Sequence, residues 1–208
     1  MVLAFIITTL NGDSPLVLYY QIYGQVVSSK DGSSTDASAE CVRRARKRHV
    51  ARIAETVHSE YQFRREVNNL TPDEDIQRLS NDDTLPDFEV GHFLTSVPVI
   101  DESLNLDVAR NDQESQHVTW MGAGLTGFIL LCDACENRVL AGQVLRLLVR
   151  FLQEHVRVLS QPSEVATRVD RVAEVLERVL PDGNLLFMNH RVVRHIEKEL
   201  DTAMKTAP

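Results

Sequence analysis

The segment NRVLAGQVLRLLVRFLQEHVRVLS, residues 137–160, limits the folds open to this chain more than any other stretch. At 100° per residue, Gln143, Arg146, Arg150, Glu154 and Arg157 fall on one narrow polar stripe. The remainder, from Leu147, Val158 and Phe151 through Leu148 and Leu152 to Leu145, Val156 and Val149, spans roughly 200°, about twice the stripe a helix ordinarily turns to a core. One sheet cannot cover such an arc. A second surface is needed, either the chain's own later helices or a partner protein on one flank. If a partner supplies it, Leu145, Val149 and Val156 are the residues expected at the subunit interface. His155, inside the arc, reads as a core histidine rather than a ligand.

The flanking sequence indicates what that sheet is. MVLAFIITTL (1–10) and LVLYYQIYG (16–24) are short, β-branched and aromatic, and the turn signal NGDSP between them predicts an antiparallel hairpin. After the polar SSKDGSSTDAS, helical spacing of Val42, Ala45, His49, Ile53, Val57 and Tyr61 predicts a helix over 39–65. Residues 66–102, rich in acids and amides and broken by Pro72, Pro86 and Pro98, are expected to be mostly loop, with SLNLDVA preferred over DFEVGHFLTS as the third strand. HVTWM and FILLCD read as two further strands. Ser163 is expected to cap a helix carrying Val165, Val169, Val172, Leu176 and Val179, stopped by Pro181, Asp182 and Gly183. A last helix is predicted from about 189 to 204, with Val192, Ile196, Leu200 and Ala203 on one face.

This order predicts an α/β (α+β) fold, a five-stranded antiparallel sheet flanked by helices, in a single domain over 1–208 with a loop insertion at 66–102 and a helical tail from about 189. No alternating βαβ unit is present. That absence bears on two motifs in VTWMGAGLTGFILLCDAC. Gly122, Gly124 and Gly127 match G-x-G-x-x-G, but a dinucleotide fingerprint needs a helix N-terminus directly after its glycines, and here the strand FILLCD follows. A glycine-rich hairpin turn is expected instead. Cys132 and Cys135 end a strand rather than open a helix, and a single C-x-x-C supplies only two metal ligands. The seven histidines show neither H-E-x-x-H nor finger spacing. No catalytic, cofactor-binding or metal-ligating residue is therefore assigned, and no enzyme activity is expected.

Composition narrows the partners. With a formal charge of −8 and pI near 5.4, the whole-molecule field repels phosphate backbones, so nucleic acid is not an expected partner. Three cysteines and an N-terminus without a basic n-region or cleavage site point to the reducing cytosol. No apolar run is long enough to span a bilayer, so membrane contact is expected to be peripheral. The sequon at Asn69 then reads as a chance tripeptide. CVRRARKRHVAR, with Arg43, Arg44, Arg46, Lys47, Arg48 and Arg52, reads first as a solvated helix face, and second as a contact for an acidic partner or membrane surface.

MVLAFIITTL, HVTWMGAGLTGFILLCDACENRVLAGQVLRLLVRFLQEHVRVL, RVDRVAEVLERVLPDGNLLFMN and HIEKEL together resemble the sigma subunits of the fifth adaptor protein complex, within the small adaptin family. The likeness covers the first strand and nearly everything from about 104 to 200. It implies a longin-like fold, no enzyme and no cofactor. It also implies assembly with zeta, beta and mu subunits, spatacsin and spastizin as associated proteins, and clathrin-independent retrieval towards the Golgi. The implied location is cytoplasmic and peripheral on late endosome and lysosome membranes, reached through the complex. Some sigma relatives use a basic residue near the first hairpin to bind acidic dileucine signals; NGDSP has none, so no cargo-binding residue is carried over. The alternative reading is a stand-alone longin-type trafficking module that binds a GTPase or another partner.

Overall fold

A computed structural model describes residues 1–29, 36–69, 77, 87–101, 106–108 and 115–206. Strands β1 (Val2–Thr9) and β2 (Val17–Ile22) form the predicted hairpin, and α1 (Asp36–Asn68) begins earlier and ends later than its apolar spacing indicated. Two further long strands, β7 (Ser115–Ala123) and β8 (Thr126–Asp133), pair with each other, and β8 pairs with β1. With β4 (Glu89–Ser96) they complete a five-stranded antiparallel sheet in the order β2-β1-β8-β7-β4. Three short strands, β3 (Ser28–Ser29), β5 (Val99–Asp101) and β6 (Leu106–Val108), form a separate small sheet. Then come α2 (Arg138–Val156), the single turn α3 (Glu164–Thr167), α4 (Val169–Val179), a 3-10 turn (Pro181–Gly183) and α5 (His190–Thr206). The arrangement is longin-like.

β1, β7 and β8 are buried on both faces, which is why they read as continuous apolar runs rather than alternating ones. Alternation survives in which core each residue joins. Ala4, Ile6, Val118, Trp120, Ile129 and Leu131 pack with Ile53, Val57 and Tyr61 of α1. Phe5, Ile7, Met121, Phe128 and Leu130 pack on the other face with α2, α4 and α5. Between β7 and β8 the two-residue loop Gly124–Leu125 has φ of 56° at Gly124, the left-handed value that a type II′ hairpin asks of its first loop residue.

The structure corrects three expectations. The third strand of the sheet in chain order is DFEVGHFLTS, not SLNLDVA: β4 carries partly buried Val90 and Phe93 against the two cores, whereas β6, among the described residues, pairs only with β5. Its eight residues lie inside 66–102, the span expected as loop, as do the end of α1 and all of β5, while 70–76, 78–86 and 102 fall outside the described residues. The helix expected from Ser163 is broken at Arg168 (φ −120°, ψ 44°) into α3 and α4, and the Ser163 side chain makes no cap hydrogen bond. Helix α2 stops at Val156, inside the 137–160 segment whose apolar arc was counted through Val158, because Arg157 turns left-handed (φ 60°) and donates its N–H to the Gln153 carbonyl at 3.0 Å.

Gly91 of β4 lies opposite Trp120 of β7, the only tryptophan, and a Cβ there would stand 2.3 Å from the indole Nε1. The indole is held from three sides. Its Nε1 donates to Glu60 at 2.9 Å, the Arg64 guanidinium lies 5.1 Å from the ring centroid, and Tyr61 meets it edge-on at 6.4 Å. Gly91→Ala is therefore expected to destabilise the protein by about 1–3 kcal/mol through overpacking. The check is chemical denaturation followed by tryptophan fluorescence, with a shifted native emission; an unchanged midpoint and spectrum would show that the ring is not confined there.

Candidate partner-binding surface

Asn137 starts α2 by accepting the N–H groups of Val139 and Leu140 on its Oδ1 at 3.0 and 3.1 Å. This cap satisfies two first-turn N–H groups and fixes where the helix begins. Ala141, Val144, Leu145, Leu148, Val149, Phe151, Leu152 and Val156 are all buried. One flank of the arc lies on β7 and β8 and the other under α4, on which α5 packs in turn. Arg150 on the polar stripe pairs with Glu197 of α5, tying that last helix back to α2.

Leu145, Val149 and Val156, the residues expected at a subunit contact, are each 0% exposed within this chain alone. Of the two covering surfaces open to their flank, the chain's own later helices are the one present in the fold. Val172, Val175, Leu176 and Val179 of α4, with Ile196 and Leu200 of α5, complete the same core and supply the second covering surface. His155 is half-buried at the arc's margin, with its carbonyl accepting from Arg171 at 3.4 Å.

An apolar surface does remain, at the border between the arc and the polar stripe. Leu140 and Leu147 are half-buried on α2, and the connection after the 3-10 turn brings Phe187, 77% exposed, and Met188 beside them. With Val193 of α5 they line an open groove of about 550 Å³, edged by Gln143, Arg146 and Arg150. Val139 and Leu186 extend the apolar surface at 71% and 40% exposure. Sequence reasoning missed this site because LLFMN (185–189) lies between two helical patterns and has no periodicity of its own. The usable signal was three large apolar side chains, Leu185, Leu186 and Phe187, in a segment free of strand pairing.

The glycines and thiols sit as a structural reading requires. Gly122 and Gly127 are paired strand residues flanking the turn, so no phosphate cradle faces a helix end. Cys132 lies buried in β8, where loss of solvent pushes its thiol up to about 12, while Cys135 is exposed and neither is in a disulfide. His92 and His117 stack at 5.6 Å beside Thr119, and both are held below the ordinary imidazole value, first by burial and then by the Arg138 guanidinium. Glu154, His155 and Asp201 bring one donor atom each to within 4.8 Å of one another, with Glu154 and Asp201 exposed. Among the described residues, no helix is long and apolar enough to cross a membrane.

The model of the family described as AP-5 complex subunit sigma-1 matches residues 1–201. The chain belongs to that family. The human AP-5 complex subunit sigma-1 is 34% identical over 209 residues, covering 98% of this chain and 98% of the human protein. The mouse AP-5 complex subunit sigma-1 is 30% identical over 166 residues, covering 77% of this chain and 91% of its own length. The match to the AP-5 sigma-1 family includes β1 through most of α5, and so the whole sheet, α2 and the groove.

The thiol environments give a direct check. Exposed Cys135 is expected to react with a maleimide or disulfide reagent in native buffer, and Cys132 only after denaturation. Mass mapping of the labelled peptide distinguishes them; rapid native labelling of Cys132 would contradict its burial.

Proposed function

We propose that the chain is the sigma subunit of a heterotetrameric adaptor complex and works as a structural and docking element rather than as an enzyme. The observation that carries this reading is membership of the AP-5 sigma-1 family over residues 1–201. In this reading its partners are the zeta, beta and mu subunits, with spatacsin and spastizin associated. Its setting is the cytoplasmic face of late endosomes and lysosomes, where the complex serves clathrin-independent retrieval towards the Golgi. The chain reaches the membrane as a peripheral component. No second reading is favoured by a specific observation over this one.

The contact with a partner subunit is assigned to the groove of Leu140, Leu147, Phe187, Met188 and Val193. A stable interface needs an apolar centre with a polar rim, and the exposed Phe187 beside Arg146 offers both. Leu145, Val149 and Val156 serve it from below by fixing α2 on the sheet and under α4.

Co-expression with the zeta, beta and mu subunits tests both levels. The tagged chain is expected to retain all three. Phe187→Glu or Leu147→Glu is expected to abolish retention with helical circular dichroism preserved, because a carboxylate buried unpaired in an interface costs several kcal/mol. Leu145→Glu is expected instead to unfold the chain. Failure of the unaltered chain to retain any subunit would overturn the adaptor reading; normal retention by both surface variants would move the contact elsewhere.

A further inference from the structure

The first half of α1 turns its most concentrated charge away from the sheet. Arg43, Arg44, Lys47, Arg48 and Arg52 are all exposed, while Ala45, His49, Val50, Ile53 and Ala54 of the same turns are buried. At 100° per residue the five cations occupy an arc of about 180° on the solvent side. Glu40 and Glu55 share that side; Glu40 is engaged by Arg44 at 3.1 Å and Arg43 at 3.8 Å. Arg43 and Arg44 nevertheless keep side-chain exposures of 76% and 71%. Among the described residues of α1 from 39 to 55, this side holds five cations and two carboxylates, in a chain whose formal charge is −8.

We propose that this outer face of α1 docks on an anionic lipid surface. Three observations favour lipid over an acidic peptide. The face is a convex helix flank, and neither the groove of α2 nor the cavity beside Met1, Gln116 and Cys135 is lined by any residue of α1. A peptide held through side-chain pockets would need such a recess, whereas a planar headgroup layer does not. The cations are long, exposed and spread over several turns, which suits diffuse attraction to many headgroups. The exposed side of the helix carries no large apolar residue between Arg43 and Arg52, so nothing there asks for a protein surface.

The Debye length is about 8 Å at physiological ionic strength, so carboxylates on the far side of the sheet are screened from a membrane touching α1. α1 and the groove also lie on opposite faces of the sheet, so a partner subunit and a lipid surface can be engaged together. The proposal goes beyond the adaptor reading and needs only the folded chain.

The test is flotation of the full-length chain with phosphatidylcholine vesicles, with and without phosphatidylserine, at low and high salt. Binding is expected only to the phosphatidylserine vesicles, and to be lost at high salt. Each basic residue at such a surface raises partitioning about fivefold, so the double change Lys47→Glu and Arg52→Glu is expected to lower it at least about 20-fold. Arg191→Glu, an exposed arginine on α5, is expected to leave it nearly unchanged. If the double variant loses its helical signal, Lys47→Gln with Arg52→Gln replaces it. Equal binding of that variant, or no binding of the unaltered chain, would overturn the proposal. So would capture of a soluble polyglutamate peptide without vesicle binding, which would assign the face to an acidic protein.

Discussion

The apolar arc of α2 is wider than any single surface can cover, and the layout of the chain follows from that constraint. The sheet takes one flank, with Met121, Phe128 and Leu130 facing the helix. α4 takes the other, and α5 closes over α4 with Ile196 and Leu200 while Arg150 and Glu197 pair across to α2. Burying a Leu or Val side chain contributes about 1.5–3 kcal/mol, so leaving the second flank of α2 in water would forfeit a large part of a typical domain's net stability. The helices after α2 are therefore part of the core and not an appendage to it.

On the other face the contact is held differently. α1 combines an apolar stripe with polar side chains that satisfy the carbonyls of the sheet's turns: His58 meets Gly12, Gln62 donates to Leu10 at 2.5 Å, and the Tyr61 hydroxyl donates to Gly124 at 3.0 Å. The carbonyls of buried Leu10 and Gly124 would otherwise lie beside apolar groups without these partners, which is costly. These bonds fix α1 along its axis, and so also fix which way its basic side points. The two faces of one sheet thereby support two different surfaces, an apolar groove beside α2 and a charged helix flank on α1.

The elements whose periodicity is dictated by local burial were legible in the sequence. The first hairpin, α1, β7, β8, α2 and the glycine turn all follow from runs such as FILLCD or from Ile53, Val57 and Tyr61 at helical spacing. Where tertiary contacts decide, the sequence was silent or misleading. DFEVGHFLTS and SLNLDVA have similar strand character, and only pairing with β7 distinguishes them. Leu145, Val149 and Val156 were correctly placed on an apolar flank, yet no periodicity shows whether α4 or another protein covers it. The groove needed the path of residues 184–189 over α2, which a segment without repeat does not encode locally.

Hydrogen exchange on the isolated chain, and on the chain assembled with the other subunits, tests most directly whether α2 is closed by its own chain. The amides of α2 around Leu145, Leu148, Val149 and Leu152 are predicted to exchange as slowly as those of β1 and β8 in the isolated chain. Assembly is predicted to add protection mainly near 139–147 and 185–193. Rapid exchange throughout α2 in the isolated chain, with protection around Leu145 and Val149 gained only on assembly, would contradict this account and return that flank to a partner.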